Sequence, residues 1–181
     1  MRKLGYPEKH YLNSALGWLE LGNPIEAKSE ADRIPWLNRF QPDVFLVRWR
    51  IHARLGNWEA ARDLARIFTR IFPDCSTGWL CLSYSLFKLK RPLEAFLQLL
   101  RQAKAFPNIS AIPYFLGCYS WELGDYRGAG KWLGKFKTIS GGKEVKPGPF
   151  EHTELVALWD EITAASALPK TSRRRGPIAL A

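Results

Sequence analysis

A chain of 181 residues with 46% hydrophobic and 24% charged residues has the length and composition of a single soluble globular domain with its own core, which excludes a disordered or fibrous chain. Its net charge of +10 favours acidic partners, and the excess is uneven: residues 76–141 carry nine Lys/Arg against three Asp/Glu, the remainder eighteen against fourteen. No run approaches the roughly 18 apolar residues of a membrane span, and the opening Met1-Arg2-Lys3-Leu4-Gly5-Tyr6-Pro7 lacks the apolar stretch of a secretion signal, so the expected compartment is the cytoplasm.

A period of 34 residues organises the chain. Leu21-Gly22-Asn23 recurs as Leu55-Gly56-Asn57, Leu89-Lys90-Arg91 and Leu123-Gly124-Asp125, and five residues after each Gly (or Lys90) stands an alanine: Ala27, Ala61, Ala95 and Ala129. Such regularity predicts stacked copies of one helix–turn–helix unit. The first unit, about 8–41, is expected to hold helices at 8–21 and 24–36. Gly22 supplies the left-handed end of one helix, Asn23 is expected to cap the next as Asn57 and Asp125 do in the second and fourth units, Pro24 takes its first position, and Asn23 with Glu26 is expected to form a capping box.

The second unit, about 42–75, is expected to hold helices at 42–55 and 58–71. Ala61, Leu64, Ala65, Phe68, Ile71 and Phe72 make one helical stripe. The third, about 76–109, is expected to hold helices at 76–89 and 92–105. Its first helix is apolar on two faces, with Trp79, Leu82, Leu86 and Leu89 on one and Leu80, Tyr84 and Phe87 on the other. Such a helix must be covered on both sides or offer one side to a partner. Pro73 and Pro107 close the second and third units, and the fourth, about 110–141, pairs helices at 110–123 and 126–139. Residues 142–168 read as a Gly/Pro-marked loop and a helix at 151–166 with Leu155, Leu158, Trp159 and Ile162 on one stripe, expected to cap the open end of the array. Residues 169–181, with Arg173-Arg174-Arg175, are predicted to be a disordered basic tail.

With bulky Tyr11, Phe45 and Trp79 near the starts of the first helices, the Gly turn and Ala column, and the closing Pro73 and Pro107, residues 8–141 resemble the tetratricopeptide repeat family. The fourth unit departs at Pro113-Tyr114, and the terminal proline is replaced by Arg39 and Gly141 in the outer units, as capping repeats allow. The resemblance implies an all-α, right-handed superhelical stack of four hairpins plus a C-terminal capping helix. It also implies a concave groove lined by the first helices that takes an extended or helical peptide. Carried onto this chain, the groove comprises Leu12, Leu16 and Leu19; Leu46, Arg50 and Ala53; Leu80, Tyr84 and Phe87; and Tyr114, Cys118 and Trp121, bordered by Arg54 and Lys88. That face is apolar and aromatic with basic accents, which fits a protein or peptide partner with apolar anchors and acidic residues. The positions at which one subclass clamps a terminal carboxylate hold Leu12, Leu16, Val47, Thr77 and Cys81 in one alignment and Leu46, Arg50, Cys81, Ala111 and Phe115 in the other, so the donors of that clamp are missing.

Little else points to chemistry. Cys75, Cys81 and Cys118 have no metal-ligand spacing and read as reduced thiols. His52 stands in a packing column filled elsewhere by Trp18 and Leu86, and reads as a satisfied core histidine. Gly141-Gly142-Lys143 is no phosphate loop, because Glu144 stands where Ser or Thr is needed. The expected function is a non-enzymatic interaction scaffold with no catalytic, cofactor-binding or metal-binding residues. The alternative is a nucleic-acid-binding (RNA) helical repeat that uses a basic face of units three and four, including Lys88, Arg91 and Lys131.

Overall fold

The computed structural model describes residues 4–141, and every regular element among them is helical. The helix expected at 151–166 and the tail expected at 169–181 lie outside the described residues. Eight α-helices pair in sequence: α1 (Glu8–Glu20) with α2 (Pro24–Asp32), α3 (Pro42–Arg54) with α4 (Trp58–Ile71), α5 (Ser76–Lys88) with α6 (Pro92–Gln102), and α7 (Ala111–Glu122) with α8 (Tyr126–Ser140). The chain divides after Pro107 into two compact units, with three hairpins in the first and one in the second. No helix among the described residues is long and apolar enough to cross a membrane.

Each hairpin turn is built the same way. Gly22, Gly56 and Gly124 have φ of 74°, 71° and 78°, the left-handed conformation that a residue without Cβ adopts freely. The next residue donates its N–H back across the turn to the last turn of the first helix: Asn23 to the Trp18 carbonyl, Asn57 to His52, Arg91 to Leu86 and Asp125 to Ser120, at 2.8, 2.9, 3.0 and 2.9 Å. This Schellman arrangement satisfies carbonyls that the helix end would leave open. The same residue then begins the second helix. The side chains of Asn23 and Asp125 accept from the N–H of Glu26 and Gly128 at 3.2 and 2.9 Å.

Two local expectations are corrected here. Asn57 stands at its N-cap position without a side-chain cap hydrogen bond. The capping box at Asn23 is only half made, because the Asn23 N–H that Glu26 would take is already given to Trp18.

Small residues let the helices of a pair approach. Ala27, Ala61, Ala95 and Ala129 are all fully buried, as a crossing column requires. Around Ala27, the side chains of Leu12, Ala15, Leu19, Ala31, Ile34, Val44, Val47 and Ile51 close together, so that α1, α2 and α3 share one core. In the second hairpin Phe45 stacks on Phe68 with ring centroids 3.8 Å apart and planes 12° apart, a contact worth about 0.5–1.5 kcal/mol beyond area burial. Helix α5 passes that ring at Gly78, where a Cβ would come within 2.7 Å of Phe68 Cδ1.

Helix ends differ from the periodic expectation where proline intervenes. α2 stops at Asp32 instead of continuing to 36, because Pro35 has no N–H to donate and biases Ile34 away from helix; a single 3₁₀ turn at Trp36–Asn38 follows. α6 stops at Gln102 instead of 105, and its end tightens through Ala103 to Leu100 and Ala105 to Gln102 bonds ahead of Pro107. In α4 the expected stripe is buried at Ala61, Ala65 and Phe68, but Ile71 is 49% exposed at the helix end.

Candidate partner-binding site

The first compact unit carries a concavity of about 800 Å³ between α1 and α3. Its apolar wall is Leu4, Leu12, Leu16, Leu46 and Val47, and its polar rim includes Lys9, Asn13, Asp43 and Arg50. The geometry follows from helical spacing. Lys9, Leu12, Asn13 and Leu16 share one side of α1, while Asp43, Leu46, Val47 and Arg50 share the facing side of α3. Leu12 is the buried floor, whereas Leu16, Leu46 and Arg50 are half-buried. Arg50 has no carboxylate partner among the described residues, although it is partly withdrawn from water.

The expected groove residues of α5 lie in the same compact unit but in a different setting. Leu80 and Tyr84 are 6% and 2% exposed, so they are core rather than surface. Tyr84 packs edge-on against Trp49 of α3 at 6.1 Å and Trp58 of α4 at 5.6 Å, with Phe87 at 6.4 Å. Lys88 lies over the Trp58 ring at 5.4 Å, and Arg54 is exposed at the end of α3. The two-faced apolar helix is thus covered on both faces: every residue from Leu80 to Leu86 is buried. Two serines inside that run are satisfied locally, Ser83 Oγ donating to the Leu80 carbonyl and Ser85 Oγ to that of Cys81, at 3.0 and 2.8 Å.

In the second compact unit Tyr114 is buried against Phe115 and Phe136, while Trp121 is half-buried and meets Tyr126 edge-on at 4.7 Å. The fold therefore brings Leu12, Leu46 and Arg50 into one concavity and places Leu80, Tyr84 and Tyr114 in cores. Leu4, Lys9 and Asn13 join the site without a place in the expected groove. The α1 stripe starts one turn earlier than the repeat consensus implies, and the spacing from Lys9 to Leu12 and Leu16 is the signal that carries it.

Beside this site, Asp32 at the end of α2 accepts from Lys28 Nζ at 2.6 Å and from Arg48 Nη1 of α3 at 3.0 Å. Burial pushes its carboxyl up, but these two cations outweigh burial and hold it below the usual carboxylate range. The same cations affect His52. Burial first, then the charges of Arg48 and Lys28, lower its pKa, against a smaller opposite pull from Asp32. Its Nδ1 is buried with no hydrogen-bond partner among the described residues, so the expected satisfied histidine is an unsatisfied one. Burial also raises the Cys81 and Cys118 thiols well above the ordinary range, which keeps them protonated and poor nucleophiles.

Helical hairpins of constant period, a buried alanine column and a repeated left-handed turn define a helical-repeat fold of the tetratricopeptide type. Comparison with solved structures agrees on the fold. The chain is similar to a thermophilic TPR protein of Thermus thermophilus, with 16% identity and a TM-score of 0.69 over 88% of this chain and 83% of that one. It is also similar to a MamA RS-1 double mutant, with 16% identity and a TM-score of 0.65 over 90% of this chain and 96% of that one. No protein-family model and no curated protein matches the sequence.

Proposed function

We propose that this chain is a non-enzymatic protein-interaction scaffold whose α1–α3 concavity receives a peptide segment bearing an apolar side chain and a carboxylate. The observation that carries the reading is Arg50, a half-buried cation without a carboxylate partner among the described residues, on the rim of an apolar hollow. A guanidinium there favours a partner carboxylate that can bind in bidentate fashion, and the leucine wall favours an aliphatic or aromatic anchor beside it. Arg54, Lys88 and Phe87 extend the basic and apolar character along the first compact unit, and Trp121 of the second stands in the repeat column of Phe87. Free thiols at Cys75, Cys81 and Cys118 fit a reducing compartment, so we assign the chain to the cytoplasm.

The test is affinity capture from native cell extract by the full chain and by Leu46→Glu and Arg50→Glu variants, each with unchanged helical circular dichroism. The variants are expected to lose the captured protein, by tenfold or more for Arg50→Glu. Equal capture by both variants would overturn the reading.

A further inference from the structure

Helix α8 differs in charge from the other second helices. In α2, α4 and α6 the first turn holds an acid, Glu26, Glu59 or Glu94, which suits the positive end of a helix. In α8 the acid stands at the N-cap, as Asp125, and the first turn itself carries Arg127. The whole helix, YRGAGKWLGKFKTIS, has four cations and no carboxylate.

Its geometry sorts those residues. Ala129, Leu133 and Phe136 form the buried stripe. Arg127, Lys131 and Lys135 recur every four residues on the opposite, exposed face, with Gly134 and Thr138 beside them. Like charges at that spacing repel by a few tenths of a kcal/mol per pair. Other second helices mix their charges: Lys28 is paired by Asp32 and Arg62 by Asp63, and at the helix ends Arg33 is paired by Glu30 and Arg91 by Glu94. Among the described residues Arg66, Arg70 and Arg101 stand unpaired, on helices that also carry carboxylates. No carboxylate among the described residues pairs with Arg127, Lys131, Lys135 or Lys137. Among the second helices α8 alone has cations on its exposed face and no carboxylate anywhere along it, so that face attracts an outside anion.

We propose that the outer face of α8 binds the phosphate backbone of single-stranded nucleic acid, with Arg127, Lys131 and Lys135 as phosphate contacts. A four-residue step advances about 6 Å along a helix, close to the interval between neighbouring phosphates of an extended strand. The face has no apolar anchor of the kind a protein partner needs at its centre. A Cβ at Gly130 or Gly134 would meet nothing within 4 Å, so a backbone can come close to the helix there. Trp132 lies under Lys135, with the ammonium 4.3 Å from the ring centroid, and supplies an aromatic surface beside the strip. The third hairpin adds less than its composition suggests, because Arg91 is held by Glu94 in two bonds of 2.7 and 2.8 Å.

The test is fluorescence anisotropy of a labelled oligouridylate with the full chain across a salt series. Binding at low salt is expected, and the Arg127→Gln, Lys131→Gln, Lys135→Gln triple variant is expected to weaken it at least tenfold. Its log–log salt slope should be shallower by roughly 2, since each lost single-strand contact removes about 0.7. The Lys28→Gln, Arg62→Gln control, which removes neutralised cations, should bind as the wild type does. Arg50→Glu should also leave oligouridylate binding intact, which separates this surface from the α1–α3 concavity. No anisotropy change at low salt, an unchanged slope in the triple variant, or equal displacement by polyglutamate would each overturn the proposal.

Discussion

The indole Nε1 of Trp49 donates to Ser85 Oγ at 3.0 Å, tying the first helix of the second hairpin to the first helix of the third. Both side chains are buried, and Trp49 stands in a repeat column that elsewhere holds Ala15, Ser83 and Gly117. A tryptophan there fills the space between α3 and α5. Trp49→Phe should lose about 1 kcal/mol, the usual worth of one hydrogen bond, while keeping a ring against Tyr84. Trp49→Ala, although it restores the residue of the first hairpin, should lose about 3–5 kcal/mol through the cavity it leaves. Urea midpoints of the two variants check the contrast.

Lys90 holds the left-handed turn position of the third hairpin with φ of 60°, where the other hairpins use glycine. A Cβ in that conformation costs about 1–2 kcal/mol, partly offset by the greater unfolded-state freedom of glycine. Lys90→Gly should therefore raise stability by about 0.5–1 kcal/mol, and Gly56→Lys should lower it by a similar amount. Thermal melts of both variants test the sign.

Gly78 has no room for a methyl group. Its Cβ would sit 2.7 Å from Phe68 Cδ1 and 3.2 Å from Thr69 Cγ2, and the Phe68 ring is stacked against Phe45. Gly78→Ala should destabilise the chain by about 1–3 kcal/mol despite the better helix propensity of alanine. A urea titration that places this variant at or above wild type would contradict the packing.

His52 predicts a pH dependence. Burial and neighbouring cations depress its folded-state pKa, so the folded chain binds this proton less readily than the unfolded chain does. The associated stability is full above the unfolded value of about 6.5 and is lost as pH falls below it towards the folded pKa. The urea midpoint should fall between about pH 7 and pH 5. His52→Leu, which copies Leu86 of the next hairpin, should flatten that fall. Asp32, with its pKa held below the ordinary carboxylate range, titrates in a lower window and does not mask the effect.

The hairpin plan was legible before any coordinates. The turns at Gly22, Gly56 and Gly124, the capping at Asn23 and Asp125, and the burial of Ala27, Ala61, Ala95 and Ala129 all depend on residues a few positions apart. Such contacts repeat whenever the residues repeat, so a period of 34 carries them intact. The helix ends at Asp32 and Gln102 depart from that period because Pro35 and Pro107 act on their immediate neighbours and override it.

Which of the apolar residues would face a partner was a different matter. Leu46 and Tyr84 occupy repeat columns one helical turn apart, yet Leu46 borders a hollow and Tyr84 is walled in by Trp49 and Trp58. Those walls come from the preceding hairpin, and Trp49 stands where the other hairpins hold only Ala15, Ser83 and Gly117. Local spacing determined the helices, their caps and their stacking faces, because those follow from backbone geometry and short-range bonds. Only side chains brought from distant positions decided which face stayed open, because burial is set by the volume of whatever packs opposite.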